Sequence, residues 1–120
     1  ELTVEHILPQ HWLAKWPLPD GSQGLSTEAL WAAAKDDPKA DMTRKRHAAL
    51  QTIGNLTILT QGLNSSVSNS EWGAKKPELL QHSLLPINQQ LHAADVWDEA
   101  AIAKRGEDLL SRALKLWPRA

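Results

Sequence analysis

Two short runs of strand-forming residues stand far apart in a chain otherwise patterned for helix, and that separation constrains the fold more than any other feature. Residues 2–8 alternate apolar and polar around β-branched Thr3, Val4 and Ile7 and then meet Pro9, where a strand must end or become an edge. Residues 55–60, Asn-Leu-Thr-Ile-Leu-Thr, follow Gly54 and are short enough to be a second strand that pairs with the first in a small sheet. Glu5 and His6 sit near the end of the first run, so any chemistry they carry belongs to that strand's end.

The remaining segments read as helices and loops. Pro17, Pro19, Gly21 and Gly24 mark residues 17–25 as a loop. Ser26 is a candidate cap for a helix with Glu28 in its first turn, running through Leu30, Trp31 and three alanines until Asp36-Asp37-Pro38 stops it. A second helix is expected to begin near Asp41 or Thr43 and to end about Thr52, before Gly54. Asn64-Ser65-Ser66-Val67-Ser68-Asn69 reads as the polar start of a short helix, and Pro77 suits the first position of another through Leu79 and Leu80. The last helix has Asp98 as cap, Glu99 in its first turn, Ile102, Leu109, Ala113 and Leu116 on one side, Lys115 near its end and Pro118 as stop. It is expected to spend its apolar face on its own core. The aromatic residues are all tryptophans, Trp12, Trp16, Trp31, Trp72, Trp97 and Trp117, and are expected to pack rather than to stack on bases.

No repeat or composition shift divides the 120 residues, so a single domain over 1–120 is expected. The chain starts at Glu1 with strand pattern almost at once, as expected of a piece of a longer protein. With no cysteine, thiolate metal sites, disulfides and cysteine nucleophiles are excluded together. No apolar run reaches membrane-spanning length, and a cytoplasmic location with no membrane partner is expected. The net charge of −1 gives no overall attraction for phosphate, but residues 35–76 hold seven basic side chains against four acidic ones. Arg44-Lys45-Arg46 lies in that stretch and is either a solvated helix face or a phosphate contact; His47 adjoins it.

Phosphodiester hydrolysis needs a group that takes a proton from water and a cation that neutralises charge growing on the phosphate and on the departing oxygen. Histidine, with an ordinary pKa of ~6.5, offers a neutral base near physiological pH. His6 supplies it here, while Glu5 offers a hard carboxylate oxygen and Asn64 an amide oxygen from the short helix. In a regular strand Glu5 and His6 point to opposite faces. Hard oxygens suit Mg2+, with Mn2+ as a substitute. Each residue also has a structural reading: His6 beside Glu5 as a hydrogen-bonded pair, Asn55 as a turn residue after Gly54, and Asn64 as a helix cap.

Three blocks together, EHILPQ at 5–10, IGNLTILTQGLN at 53–64 and VWDEAAIAKRGEDLLSRALKLWP at 96–118, resemble the C-terminal HNH-like domain of the GmrSD family of modification-dependent restriction enzymes. That domain also occurs in phosphorothioation-linked antiphage nucleases. The resemblance implies His6 as general base, Glu5 and Asn64 as metal ligands, and Asn55 as the strand residue that orients the base. Lys75 matches the Lys that follows NSSVSNSEW and joins Arg44, Lys45 and Arg46 as a candidate DNA contact. It further implies an α+β fold, with a ββα-metal hairpin and helix embedded in a mainly helical domain. The partners implied are DNA and an N-terminal nucleotide-hydrolysing sensor domain in the same chain or complex. This chain departs from the HNH pattern in having Asn64 where the helix gives a final His, and Glu5 where an Asp is common. An RNA-cutting or toxin-like nuclease, or an inactive nucleic-acid-binding module, are the rival readings.

Overall fold

The computed structural model describes residues 2–83 and 91–116. Strand β1 (Thr3–His6) pairs antiparallel with β2 (Leu56–Leu59) in a two-stranded sheet, in the register Thr3↔Leu59, Val4↔Ile58, Glu5↔Thr57 and His6↔Leu56. The described residues also form five helices, α1 (Thr27–Ala32), α2 (Pro38–Leu50), α3 (Ser65–Ser68), α4 (Trp72–Gln81) and α5 (Glu99–Leu116), and a 3-10 turn at Ile53–Asn55 leads into β2. The chain is therefore α+β, as the sequence implies. None of the described helices is long and apolar enough to cross a membrane.

Capping explains where most helices begin. Ser26 accepts from Ala29 N at α1, Asn64 from Val67 N at α3, and Asp98 from Ala101 N at α5. Two boundaries differ from the sequence expectation. Asp37-Pro38 does not stop α1, which has already ended at Ala32; it starts α2, with the Asp37 carboxylate accepting from Lys39 N and Pro38 in the first turn, where no N–H is needed. Pro77 lies inside α4 rather than at its first position. The helix begins earlier because Trp72, at its first residue, is drawn into the core, within 6.0 Å of the Trp16 ring and stacked at 5.6 Å on Trp97.

The core gathers Ile7 and Leu8 just past β1, Leu59 of β2, Leu50 of α2, Leu79 of α4, Ile102 of α5 and four tryptophans, Trp12, Trp16, Trp72 and Trp97. Trp31 is exposed, and Trp117 and Pro118 lie outside the described residues. On the side of α5 expected to be apolar, Ile102 is buried and Leu109 and Ala113 are half-buried, but Leu116 departs from expectation and is exposed; Leu110 and Leu114, off that side, are exposed as well.

Arg46 is the largest fully buried side chain of α2, on the same stripe as Ala40, Thr43 and Leu50. Its Nε donates to Glu99 Oε1 at 2.7 Å, one guanidinium nitrogen donates to the carbonyls of Trp16 and Pro17, and the group lies 4.8 Å over the Trp12 ring. A buried guanidinium is tolerable only with this kind of saturation. It fastens α2, α5 and the 16–17 loop together.

The turn before β2 presses on α5 backbone to backbone. A Cβ on Gly54 would lie 2.0 Å from the carbonyl oxygen of Ile102, and Arg105 reaches back from α5 to the carbonyls of Gly54 and Leu56 at 3.2 and 2.8 Å. Gly54→Ala should therefore destabilise the domain by about 1–3 kcal/mol through forced displacement of α5. Gly62→Ala, whose added methyl meets nothing closer than 3.6 Å, should be nearly neutral in the same urea titration. Equal stability of the two variants would show that the close approach carries no energetic weight.

Candidate active site

Asn55 is wholly buried and uses all of its side-chain hydrogen-bonding capacity. Its Oδ1 accepts from Leu8 N at 2.7 Å and from Trp97 Nε1 at 3.1 Å, and its Nδ2 donates to the carbonyls of Leu8 at 2.9 Å and Leu50 at 3.1 Å. Its own carbonyl accepts from Ile7 N at 2.8 Å. The two residues following His6 are thus clamped to the turn that opens β2. Asn55, expected to orient His6, does not touch its ring; it fixes the main chain of the two residues that follow.

The ring is held instead by Gln51, at the C-terminal cap of α2, whose Oε1 lies 3.2 Å from His6 Nε2. With that oxygen accepting the Nε2 proton, the neutral ring keeps its lone pair at Nδ1. Nothing in the sequence marks Gln51, since its partner is 45 residues away.

Glu5 and His6 border one cleft of roughly 330 Å³, shared with Gln10, His11, Ser65, Ser68 and Asn69. Both residues lie inside β1, in register with Thr57 and Leu56, and the cleft at the strand's end, where the chain bends at Ile7 and Leu8, is lined by both. Two larger clefts, of roughly 400 and 420 Å³, flank α5 and include neither residue.

Glu5 Oε2 accepts from Ser68 Oγ at 2.8 Å and lies 2.9 Å from Lys75 Nζ, which also donates to the His6 carbonyl. The Oε1 atom takes no hydrogen bond from the described residues. Lys75 is fully buried, so its assignment as a DNA contact is corrected: its ammonium is spent inside, on the Glu5 carboxylate and the His6 carbonyl. Burial pushes the Lys75 ammonium below its ordinary value, and the Glu5 carboxylate beside it acts in the opposite sense. Arg46 is corrected in the same way, being enclosed by Glu99, Trp12 and two carbonyls, whereas Arg44 and Lys45 are exposed on α2 and Lys45 is 3.2 Å from Asp41.

Asn64 is not brought into this cleft. Its Oδ1 accepts from Val67 N at 2.9 Å, and it borders a neighbouring cleft with Glu78 and His82; Leu63 separates and lines both. Among the described residues no three His, Cys, Asp or Glu side chains gather as a metal cluster. What the cleft offers, among the described residues, is one carboxylate oxygen of Glu5 outside the Ser68 and Lys75 contacts, with hydroxyl and amide oxygens around it. That set fits a hard, largely hydrated dication such as Mg2+, which needs only one or two carboxylates, and does not fit zinc.

Residues 1–112 match the family described as GmrSD restriction endonucleases, C-terminal domain. The chain belongs to that family. Membership of the GmrSD C-terminal domains implies a restriction-endonuclease role. No curated protein and no solved structure matches the chain.

The two asparagine- and glutamine-based supports should separate in experiment. Asn55→Ala leaves Leu8 N–H, Leu8 C=O and Trp97 N–H buried without partners, each costing about 1–3 kcal/mol, so its melting temperature should fall sharply. Gln51→Ala, at an exposed position, should melt as wild type yet lose on the order of tenfold in cleavage rate, part of the 100- to 10,000-fold a general base contributes. A fully active Gln51→Ala would remove Gln51 from the account.

Proposed function

We propose that this domain hydrolyses DNA phosphodiester bonds with His6 as general base and Glu5 as ligand to a single magnesium ion, in the manner of an HNH nuclease. The observation that carries the reading is the cleft that Glu5 and His6 both line, with Glu5 Oε2 engaged by Ser68 and Lys75 and His6 Nε2 by Gln51. The order β1, β2, α3 supports a ββα reading of the site.

His6 Nδ1 takes the proton from the attacking water, and Gln51 holds the ring so that this nitrogen faces the cleft. The magnesium ion, when bound, supplies charge neutralisation for the phosphate and the departing oxygen. Glu5 would hold it, through the carboxylate oxygen that Ser68 and Lys75 do not engage. Asn64 is the second ligand in this proposal, and its amide would exchange the cap bond to Val67 N for ligation. An exposed cap is worth about 1 kcal/mol, so the exchange is within reach of a cation's affinity. Asn69, already in the cleft, is the neighbour against which Asn64 must be compared. The domain is further proposed to work in the cytoplasm, joined to an N-terminal nucleotide-hydrolysing domain that directs it to modified DNA.

One base and one carboxylate ligand can serve one phosphate at a time, so the isolated domain is proposed to nick. Supercoiled plasmid should become open circles in the presence of Mg2+, with Mn2+ as a partial substitute, and remain intact in chelator. His6→Ala should abolish the nicking, and Asn64→Ala, more than Asn69→Ala, should raise the magnesium required. Cleavage that survives chelation would end the metal assignment, full activity of His6→Ala would end the base assignment, and linear product preceding open circles would end the nickase reading.

DNA contact is assigned to Arg44 and Lys45 alone of the basic run. Substituting Arg44 by Ala should reduce the slope of log K against log salt by about one unit, as one lost phosphate contact does. An unchanged slope would show the exposed face of α2 to be merely solvated.

A further inference from the structure

We propose that Lys75 is a built-in competitor for the cation: a buried ammonium that confines the ion to one oxygen of Glu5, keeps its binding weak and exchangeable, and ties the position of the ligand to that of the base. This rests on the reading that Glu5 holds the ion.

The geometry is specific. Lys75 comes from α4, outside the β1–β2–α3 unit, and is fully buried. It stands 2.9 Å from Glu5 Oε2, which Ser68 Oγ also engages at 2.8 Å. Both donors fall on the same oxygen, so a cation can approach only Oε1, and bidentate ligation by the carboxylate is closed. Calcium takes six to eight ligands and readily uses carboxylates in bidentate fashion, whereas magnesium keeps its waters and accepts a single carboxylate oxygen. The arrangement therefore discriminates against the larger ion. A positive charge within hydrogen-bonding distance of the ligand also repels any incoming dication, in a site where solvent screens poorly.

The same ammonium donates to the His6 carbonyl. One buried side chain thus sets the carboxylate of residue 5 and the main chain of residue 6 with respect to each other. A long flexible side chain loses much rotamer freedom on burial, and here that loss is offset by two charge-assisted contacts. Lys75 is a positioning residue, since it reaches neither the substrate nor the reacting atoms.

A positioning role of this kind makes opposite predictions for binding and for cutting. In Lys75→Met, Mn2+ binding measured by electron paramagnetic resonance should tighten about tenfold and Ca2+ binding should appear, while plasmid nicking falls at least tenfold because His6 loses its anchor. A Lys75→Met variant that melts as a folded domain but binds Mn2+ no more tightly than wild type overturns the proposal, since a lysine that merely supports the fold would weaken binding and cutting together. If Lys75→Met does not fold, the wild-type domain decides. The Lys75 ammonium resonance should shift on adding Mg2+ along the same isotherm as neighbouring residues, and an isotherm that leaves Lys75 unmoved overturns the proposal. Glu5→Gln separates this from the underlying reading: unchanged Mn2+ binding there removes Glu5 as ligand, whereas lost binding there with no tightening in Lys75→Met removes only the role given to Lys75.

Discussion

The buried amide of Asn55 is the interaction on which the rest of the structure depends. It links the end of β1, the end of α2, the turn into β2 and the Trp97 segment through four side-chain hydrogen bonds, all in the interior. Because those partners are main-chain atoms and an indole N–H that water cannot reach, each would be costly to leave unpaired. The amide therefore specifies one arrangement of the segments rather than merely adding stability. Its neighbour Gly54 makes the arrangement possible by letting the backbone of α5 come close. The Gly-Asn pair has a packing half and a hydrogen-bonding half.

From that clamp the site follows. Fixing Ile7 and Leu8 fixes where β1 stops, and at that end lies the cleft that Glu5 and His6 both line. The remaining helices act as supports: α2 brings Gln51 to the ring, α3 brings Ser68 and α4 brings Lys75 to the carboxylate. A bare strand-strand-helix unit would contain Ser68 but neither Gln51 nor Lys75. The additional helices hold Glu5 and His6 to a defined orientation, which a half-buried Glu-His pair at a strand end would otherwise lack.

Much of this was legible in the sequence where the signal is local. The two strands, the caps Ser26, Asn64 and Asp98, and the family-level identity follow from patterns spanning a few residues. What was not legible depends on distant partners. Arg44-Lys45-Arg46 reads as one basic run, yet helical spacing puts Arg46 on the stripe of Ala40, Thr43 and Leu50, and two polar residues in that stripe erase its amphipathic signature. Lys75 looks like any surface lysine until α4 is packed and Glu5 is seen to face it. Asp37-Pro38 is a stop or a start in sequence terms, and only the carboxylate's bonds to Lys39 and Ala40 decide for a start. Leu116 fits the apolar side of α5 by period, but the body of the domain does not extend to it.

The most direct test of the account is the position of the cation. Crystals of the domain soaked in Mn2+ should show an anomalous peak about 2.1 Å from Glu5 Oε1 and not from Oε2, with His6 near the ion but not bonded to it. Asn64 should have turned from Val67 N toward the peak. A peak ligated by the His6 ring, or one lying away from the Glu5–His6 cleft, would contradict the assignment of base and ligand together.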